Sequence, residues 1–336
     1  MPRPRLPAWL AVGGAVLVGV LTATQARING SLGLAFGDGL VAALVSFGSG
    51  LVVLIVLVVV LPDGRAGLVR LWHGLGPGPR ARGSAQRGAM RGGGAGSIPI
   101  WMILGGVAGA LTVATQGLTV ATIGVALFTV GVVAGQTVNG LVLDRVGYGP
   151  AGVVAVTMGR VAGAALVLLA VVLCVAGDGL TSVPWWMLLL PFLAGAGIAW
   201  QQATNGRLRQ AVGSPLVATL VNFVVGAIVL GVATAVHVIA DGPPPRVPTD
   251  PWLYLGGVLG VVYIFLSAAL VRHTGVLLLG LGSVVGLLAT SVVLDAVWPP
   301  LSGPSLGAAL TAVFVALAGV AVAVIPWRAL RRRRGV

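Results

Sequence analysis

The chain has no lysine and no glutamate, a single cysteine, three histidines, and charged side chains on only 8% of its 336 residues. Each shortage excludes something. Without lysine there is no Schiff-base chemistry, and without an intramembrane glutamate any proton coupling must use Asp or His. Cys174 stands alone in an apolar run, so there is no disulfide framework and no cysteine metal site. His73, His237 and His273 fall in a loop, near a helix end and at a tight corner, which does not make a metal or catalytic cluster. The glycine run at 92–96 has no preceding strand and no Lys-Ser/Thr partner, so it reads as a flexible linker and not a phosphate loop. No cofactor is expected.

What is abundant is apolar: 57% of residues are hydrophobic and the mean hydropathy is +1.06, where a soluble domain has about 25% charged residues. The chain is an integral membrane protein. Its wealth of Gly, Ala, Val and Arg with no Lys is the pattern of a GC-rich bacterial coding bias, which points to a bacterial cytoplasmic membrane. A bilayer core of about 30 Å needs about 20 apolar helical residues. Ten runs qualify: 9–28, 39–61, 99–120, 124–143, 152–175, 184–203, 215–240, 252–271, 274–294 and 305–325. Residues 121–123 and the Arg272-His273 corner must each divide a stretch of about 45 residues, too long to cross once.

With the amino terminus in the cytoplasm, alternate loops place 17 of 20 Arg inside and only Arg27 and Arg246 outside. Asp shows the opposite bias, with Asp38, Asp178, Asp241, Asp250 and Asp295 outside and Asp63 and Asp144 inside. Both termini are therefore expected in the cytoplasm. The formal charge of +13 is then a topology signal on solvated loops, with no nucleic-acid partner implied. The first run resembles a secretory signal, with Arg3 and Arg5 before it and a possible cleavage region at 23–26.

Internal repetition argues against cleavage. Residues 25–50 align without a gap on 201–226, identical at 13 of 26 positions, Gln25, Asn29, Gly30 and Phe47 among them. Residues 104–144 align on 255–295 with 15 of 41 identical, including Gly105, Gly109, Gly131, Gly135 and Asp144 against Gly256, Gly260, Gly282, Gly286 and Asp295. A five-span repeat is odd-numbered, so the second copy enters the membrane inverted, the architecture that underlies alternating access. The expected fold is all-α, ten transmembrane helices as two inverted five-helix repeats. The expected divisions are 1–64 (first repeat, helices one and two), 65–98 (a cytoplasmic Arg/Gly-rich loop), 99–177 (first repeat, helices three to five), 178–327 (second repeat) and 328–336 (a basic cytoplasmic tail).

The segments Gln25-Ala26-Arg27-Ile28-Asn29-Gly30 and Ser46-Phe47-Gly48-Ser49-Gly50 recur as Gln201-Gln202-Ala203-Thr204-Asn205-Gly206 and Asn222-Phe223-Val224-Val225-Gly226. Together with Gly105-Gly106 and Gly109, Gly135-Gln136, Asp144-Arg145-Val146-Gly147 and Gly159-Arg160 with Gly163, the chain resembles the drug/metabolite transporter superfamily, and within it the YdcZ-like family with a duplicated five-helix unit. The resemblance implies a ten-helix exporter or permease of the EamA-like transporter fold. The second half departs from the pattern: Leu287 stands for Gln136, and its last span has no counterpart of Arg160.

Amides in apolar spans must face protein or a cavity, since an unpaired amide in lipid costs several kcal/mol. Gln25, Asn29, Gln116, Gln136, Asn139, Gln201, Gln202, Asn205 and Asn222 fit that description, as substrate-pathway groups or as ties between helices. Tyr263, with Trp9, Trp101 and Trp200, is a candidate for stacking on a substrate or for marking the interface. Arg160 stands out as the Arg well inside a span, paired with Asp144 or a helix carbonyl, or in contact with an anionic headgroup. Asp144 and Asp295 suit capping or gating. The four GxxxG pairs Gly105/Gly109, Gly131/Gly135, Gly256/Gly260 and Gly282/Gly286 suit helix packing.

Three functions compete: a secondary transporter exporting a small metabolite or amphipathic compound, a flippase for a lipid or lipid-linked precursor, and a membrane enzyme. The enzyme needs a clustered acid, base or metal site that the sequence lacks. The partners expected are a small-molecule substrate and membrane lipids, with oligomeric state left open.

Overall fold

The computed structural model describes residues 8–75, 98–149, 152–153, 155–175 and 183–324, and among them every regular element is helical. The helices are α1 (Ala8–Phe36), α2 (Gly39–Val60), α3 (Pro62–Leu75), α4 (Gly105–Val146), α5 (Met158–Val175), α6 (Trp185–Val212), α7 (Pro215–Asp241), α8 (Gly256–Val297) and α9 (Leu306–Val324). Short 3₁₀ turns at Ile100–Ile103 and Pro251–Leu255 lead into α4 and α8. At the Arg272-His273 corner expected to divide the stretch, the backbone is instead helical, within α8; the side chains of 271–281 lie outside the described residues, as do the charges at 80–91, the glycine run at 92–96 and the basic tail.

By length and apolarity, four helical segments among the described residues suffice to cross a membrane: Gly39–Val60, Ile100–Val146, Pro215–Asp241 and Leu306–Ala323. Their lipid-facing sides are visible in α7, where Val224, Ile228, Val232 and Val236 recur every fourth residue and are all exposed. On α2 the same role falls to Val52, Ile55, Val56 and Val59.

Two sharp turns set the helical hairpins. Gly37 (φ +68°) ends α1 and Gly213 (φ +64°) ends α6, left-handed positions that favour glycine. Each is followed by an N-cap. Asp38 accepts from the N–H groups of Leu40 and Val41 at 2.8 and 3.1 Å, and Ser214 accepts from Val217 at 3.4 Å. His237 of α7 bridges Asp38 and Asp241 at 3.2 and 2.9 Å, which ties the start of α2 to the end of α7.

α1 packs mainly on α8 and α4 on α6, while α5 packs on α9 and α2 on α7. In the last two pairs the contacts are reciprocal. Phe47 and Phe223 stack with centroids 4.7 Å apart, and Gly163 and Gly319 lie on each other's carbonyls.

Three local features differ from the sequence reading. α1 runs eight residues past 28, because polar residues that interrupt an apolar run do not interrupt backbone hydrogen bonding when protein covers them. Part of the segment read as a loop is a helix, α3, whose Arg70 Nε donates to the Val212 carbonyl at 2.6 Å and so ties it to the end of α6. Finally, the division expected at 121–123 is a single non-helical residue, Gly124 (φ +84°, ψ 162°).

Candidate functional site

Breaking α4 at Gly124 strands backbone groups on both sides of the break, and the structure supplies partners for them from far along the chain. The Asp295 carboxylate accepts from Val125 N–H (2.8 Å) and Ala126 N–H (2.7 Å). The N–H groups of Leu301 and Ser302 donate to the carbonyls of Ala121 and Thr122 at 3.0 and 2.8 Å. One end of the protein is thus organised by contacts between α4 and the α8–α9 connection.

Deeper in, the amides separate into sets. On α1, Asn29 donates to Gln116 Oε1 of α4 at 2.6 Å and accepts from Ser46 Oγ of α2 at 2.8 Å. Asn29, Gln116, Ser46 and Gln25 are all buried. These amides sit over small residues of α8: a Cβ at Gly260 would lie 2.6 Å from Gln25 Nε2, and one at Gly256 would overlap the Asn29 side chain. The second set repeats this on α4. A Cβ at Gly105 would lie 2.7 Å from both Asn205 Oδ1 and Asn222 Oδ1, and one at Gly109 would lie 2.8 Å from Gln201 Nε2. The sets differ in satisfaction. Asn222 donates to the Ala218 carbonyl at 2.9 Å, but Asn205 Oδ1 and Asn222 Oδ1 are buried and accept no hydrogen bond.

The other candidates lie apart from these sets. Gln136 donates to exposed Gln202 at 3.2 Å, and Asn139 donates to the Ala196 carbonyl at 2.6 Å, which joins α4 to α6. Tyr263 is half-buried on α8, where its carbonyl accepts from Ser267. Arg160, third residue of α5, is ion-paired with Asp144, and both side chains are partly exposed. Such a pair contributes about 0–1 kcal/mol. Arg160→Gln is therefore expected to leave the thermal unfolding midpoint nearly unchanged, as fluorescence-monitored melting would show.

In each remaining glycine pair the first member meets a side chain and the second meets backbone. Gly131 lies against Pro191, while Gly135 meets the Phe192 carbonyl and Gly195 of α6 meets the Val132 carbonyl. Gly282 and Gly286 of α8 meet Ala15 and Val16 of α1 in the same way.

A pair of residue clusters escapes the sequence reading. Arg27 is not a loop residue: it lies inside α1, only 6% exposed, with its guanidinium 5.4 Å from the centroid of Trp298, which stacks on Trp252. This also corrects the view that Arg160 is the Arg buried in a span. At the other end Arg207 of α6 stands over Trp101 and Tyr148, themselves 5.5 Å apart, and donates to the Gly147 carbonyl at 3.0 Å. Trp200 Nε1 donates to the Tyr148 hydroxyl at 3.0 Å. The repeat relates Trp101 to Trp252, a signal available in the sequence, but only the fold places Arg207 on Trp101 and Arg27 on Trp298, the neighbour of Trp252.

Among the described residues no group of three or more His, Cys, Asp and Glu side chains is placed to hold a metal ion. Buried amides on glycine seats, lipid-facing apolar stripes and capped helix breaks define a multi-pass helical membrane protein of the transporter class. A family model described as "Putative inner membrane exporter, YdcZ" matches residues 10–79, 81–173 and 185–322, nearly the whole chain. The chain belongs to this YdcZ family of the drug/metabolite transporter superfamily. It is accordingly an all-α, multi-pass inner-membrane protein of the EamA-like transporter fold, and a secondary transporter, not an enzyme. Among curated proteins no significant match is found.

Proposed function

We propose that the protein exports a small organic solute by alternating access between two inverted five-span units, with both termini in the cytoplasm. The observation that carries this reading is the equivalence of contacts between the halves. Val16 meets Gly286 as Phe192 meets Gly135, Gln25 sits over Gly260 as Gln201 sits over Gly109, and Phe47 faces its own counterpart Phe223. Repeat-related residues that pair with each other mark a two-fold axis, and two near-equivalent packings about such an axis can open to opposite sides. At 42 residues, α4 and α8 would each be about 63 Å long if straight, twice the bilayer core, so each is read as supplying two spans. With α1, α2, α5, α6, α7 and α9 this makes ten.

In this reading the amide sets, with Tyr263, line the pathway, and the glycine seats let helices slide past them. The flippase alternative needs a cavity that opens sideways between helices and an Arg160 that meets a phosphate; Arg160 is ion-paired with Asp144 through Nη2, which favours the export reading. Untargeted mass spectrometry of medium and cytosol, comparing deletion and overproducing cells, tests the export reading. A compound whose outside-to-inside ratio rises with expression supports it, and a falling ratio means uptake.

The amides carry a sharper prediction. Asn205 Oδ1 accepts nothing, so Asn205→Ala is expected to change stability by less than about 1 kcal/mol while lowering efflux of the identified compound about tenfold. Asn29→Ala leaves Gln116 and Ser46 without a partner and should cost about 1–3 kcal/mol as well. Unchanged efflux in both variants would sink the lining role.

A further inference from the structure

The Arg27 and Arg207 clusters are built alike and completed differently. Arg207 has spent a donor on the Gly147 carbonyl. Arg27 Nε and Nη1 are buried and meet no acceptor, and among the described residues no carboxylate comes within ion-pair distance of them. Two buried guanidinium nitrogens without an acceptor, on a charge met only by the Trp298 ring and by Asp295 beyond ion-pair distance, are costly for a membrane protein to hold and point to a ligand site.

Arg27 opens onto a cleft of about 340 Å³ lined also by Ser31, Asp250, Trp252, Trp298 and Pro299. That volume is at the small end for ligand sites and suits a compact organic molecule. Ser31, one turn along α1 from Arg27, adds a hydroxyl donor. Two carboxylates face the region. Asp295 has both oxygens engaged by the N–H groups at the start of the second part of α4, whose positive end offsets its charge. Asp250 is exposed, where solvent screens it. The unspent charge in the cleft is thus the cation, and the Trp252–Trp298 pair offers an apolar face beside it.

We propose that Arg27, with Ser31 and the Trp252–Trp298 pair, recognises the carboxylate or phosphate group of a small organic anion at this end of the transporter. The assignment of that anion as substrate rests on the export reading, but its binding is measurable without transport.

The test uses the full-length protein in nanodiscs of neutral phosphatidylcholine, with thermal unfolding followed in the presence of sodium benzoate, its uncharged analogue benzamide, and sodium phosphate. Benzoate or phosphate should raise the unfolding temperature saturably, and benzamide should not. Arg27→Gln should weaken the response at least about tenfold, the loss of a charge-assisted hydrogen bond. Ser31→Asp, which places a carboxylate in the cleft without removing Arg27, should abolish it, and serves if Arg27→Gln does not fold. Phosphatidylglycerol in the discs distinguishes the source of the group: competition with benzoate that needs Arg27 identifies a lipid headgroup as an occupant, and its absence identifies a soluble anion. A response equal for benzoate and benzamide, or unaffected by both substitutions, overturns the proposal. An Arg27-dependent response in a protein that moves no solute would retain the site and overturn the export reading instead.

Discussion

Replacement of Gly135 by valine is expected to destabilise the protein by more than about 3 kcal/mol and to remove the monodisperse species on size-exclusion chromatography in mild detergent. A Cβ at this position would overlap the Phe192 carbonyl and lie 2.9 Å from the Ala196 nitrogen. Both are backbone atoms of α6, so the strain cannot be relieved by a rotamer change, and the two helices must separate along the seam between α4 and α6. Gly286→Val should fail in the same way, since its Cβ would meet the Val16 carbonyl of α1. Gly140→Val, five residues from Gly135 on the same helix and with nothing within 4 Å of a Cβ, is the control and should fold. If Gly135→Val and Gly140→Val give equal unfolding midpoints, close approach is not what holds α4 to α6.

The second large effect concerns Asp295. Asp295→Ala leaves the Val125 and Ala126 N–H groups, stranded by the break at Gly124, without their acceptors. Charge-assisted bonds of this kind contribute about 1.5–3 kcal/mol, and an uncompensated buried donor adds to the loss. The expected cost is about 3 kcal/mol in a denaturation experiment, against about half of that for Asp295→Asn, which retains one acceptor oxygen. A neutral Asp295→Ala would mean that water or a neighbouring carbonyl arrangement satisfies the break. The loop 298–303 should loosen with it, because Leu301 and Ser302 dock on the carbonyls at the other side of the same break.

Much of the architecture was legible because it is written in chemistry that cannot be hidden. Apolar length declares a membrane segment, and Gln25, Asn29 and Phe47 match Gln201, Asn205 and Phe223 at one offset. The family match over nearly the whole chain agrees with the resemblance those motifs carry. The need for a break in α4 was also legible, since the apolar stretch is too long for a single crossing. Its place was not, because that depends on which residue adopts φ +84° and which distant groups cap it.

Arg27 shows where sequence reasoning stops. At the end of the run 9–28 the residue counts among the outer charges, yet α1 continues to Phe36 and folds Arg27 beneath Trp298. Ser46 is legible in the sequence only as part of a recurring segment, and its role as a donor to Asn29, which donates in turn to Gln116, is a contact of the fold.

By itself the sequence determined the membrane class, the helical composition and the family, since each rests on residue type and spacing along the chain. Only the tertiary structure decided which amides are satisfied, which glycine faces a carbonyl and which an amide, and that Arg207 has an acceptor while Arg27 has none. Those are facts of proximity between segments far apart in the chain. Hydrogen bonding and close packing act over about 3–4 Å, so only the folded chain expresses them.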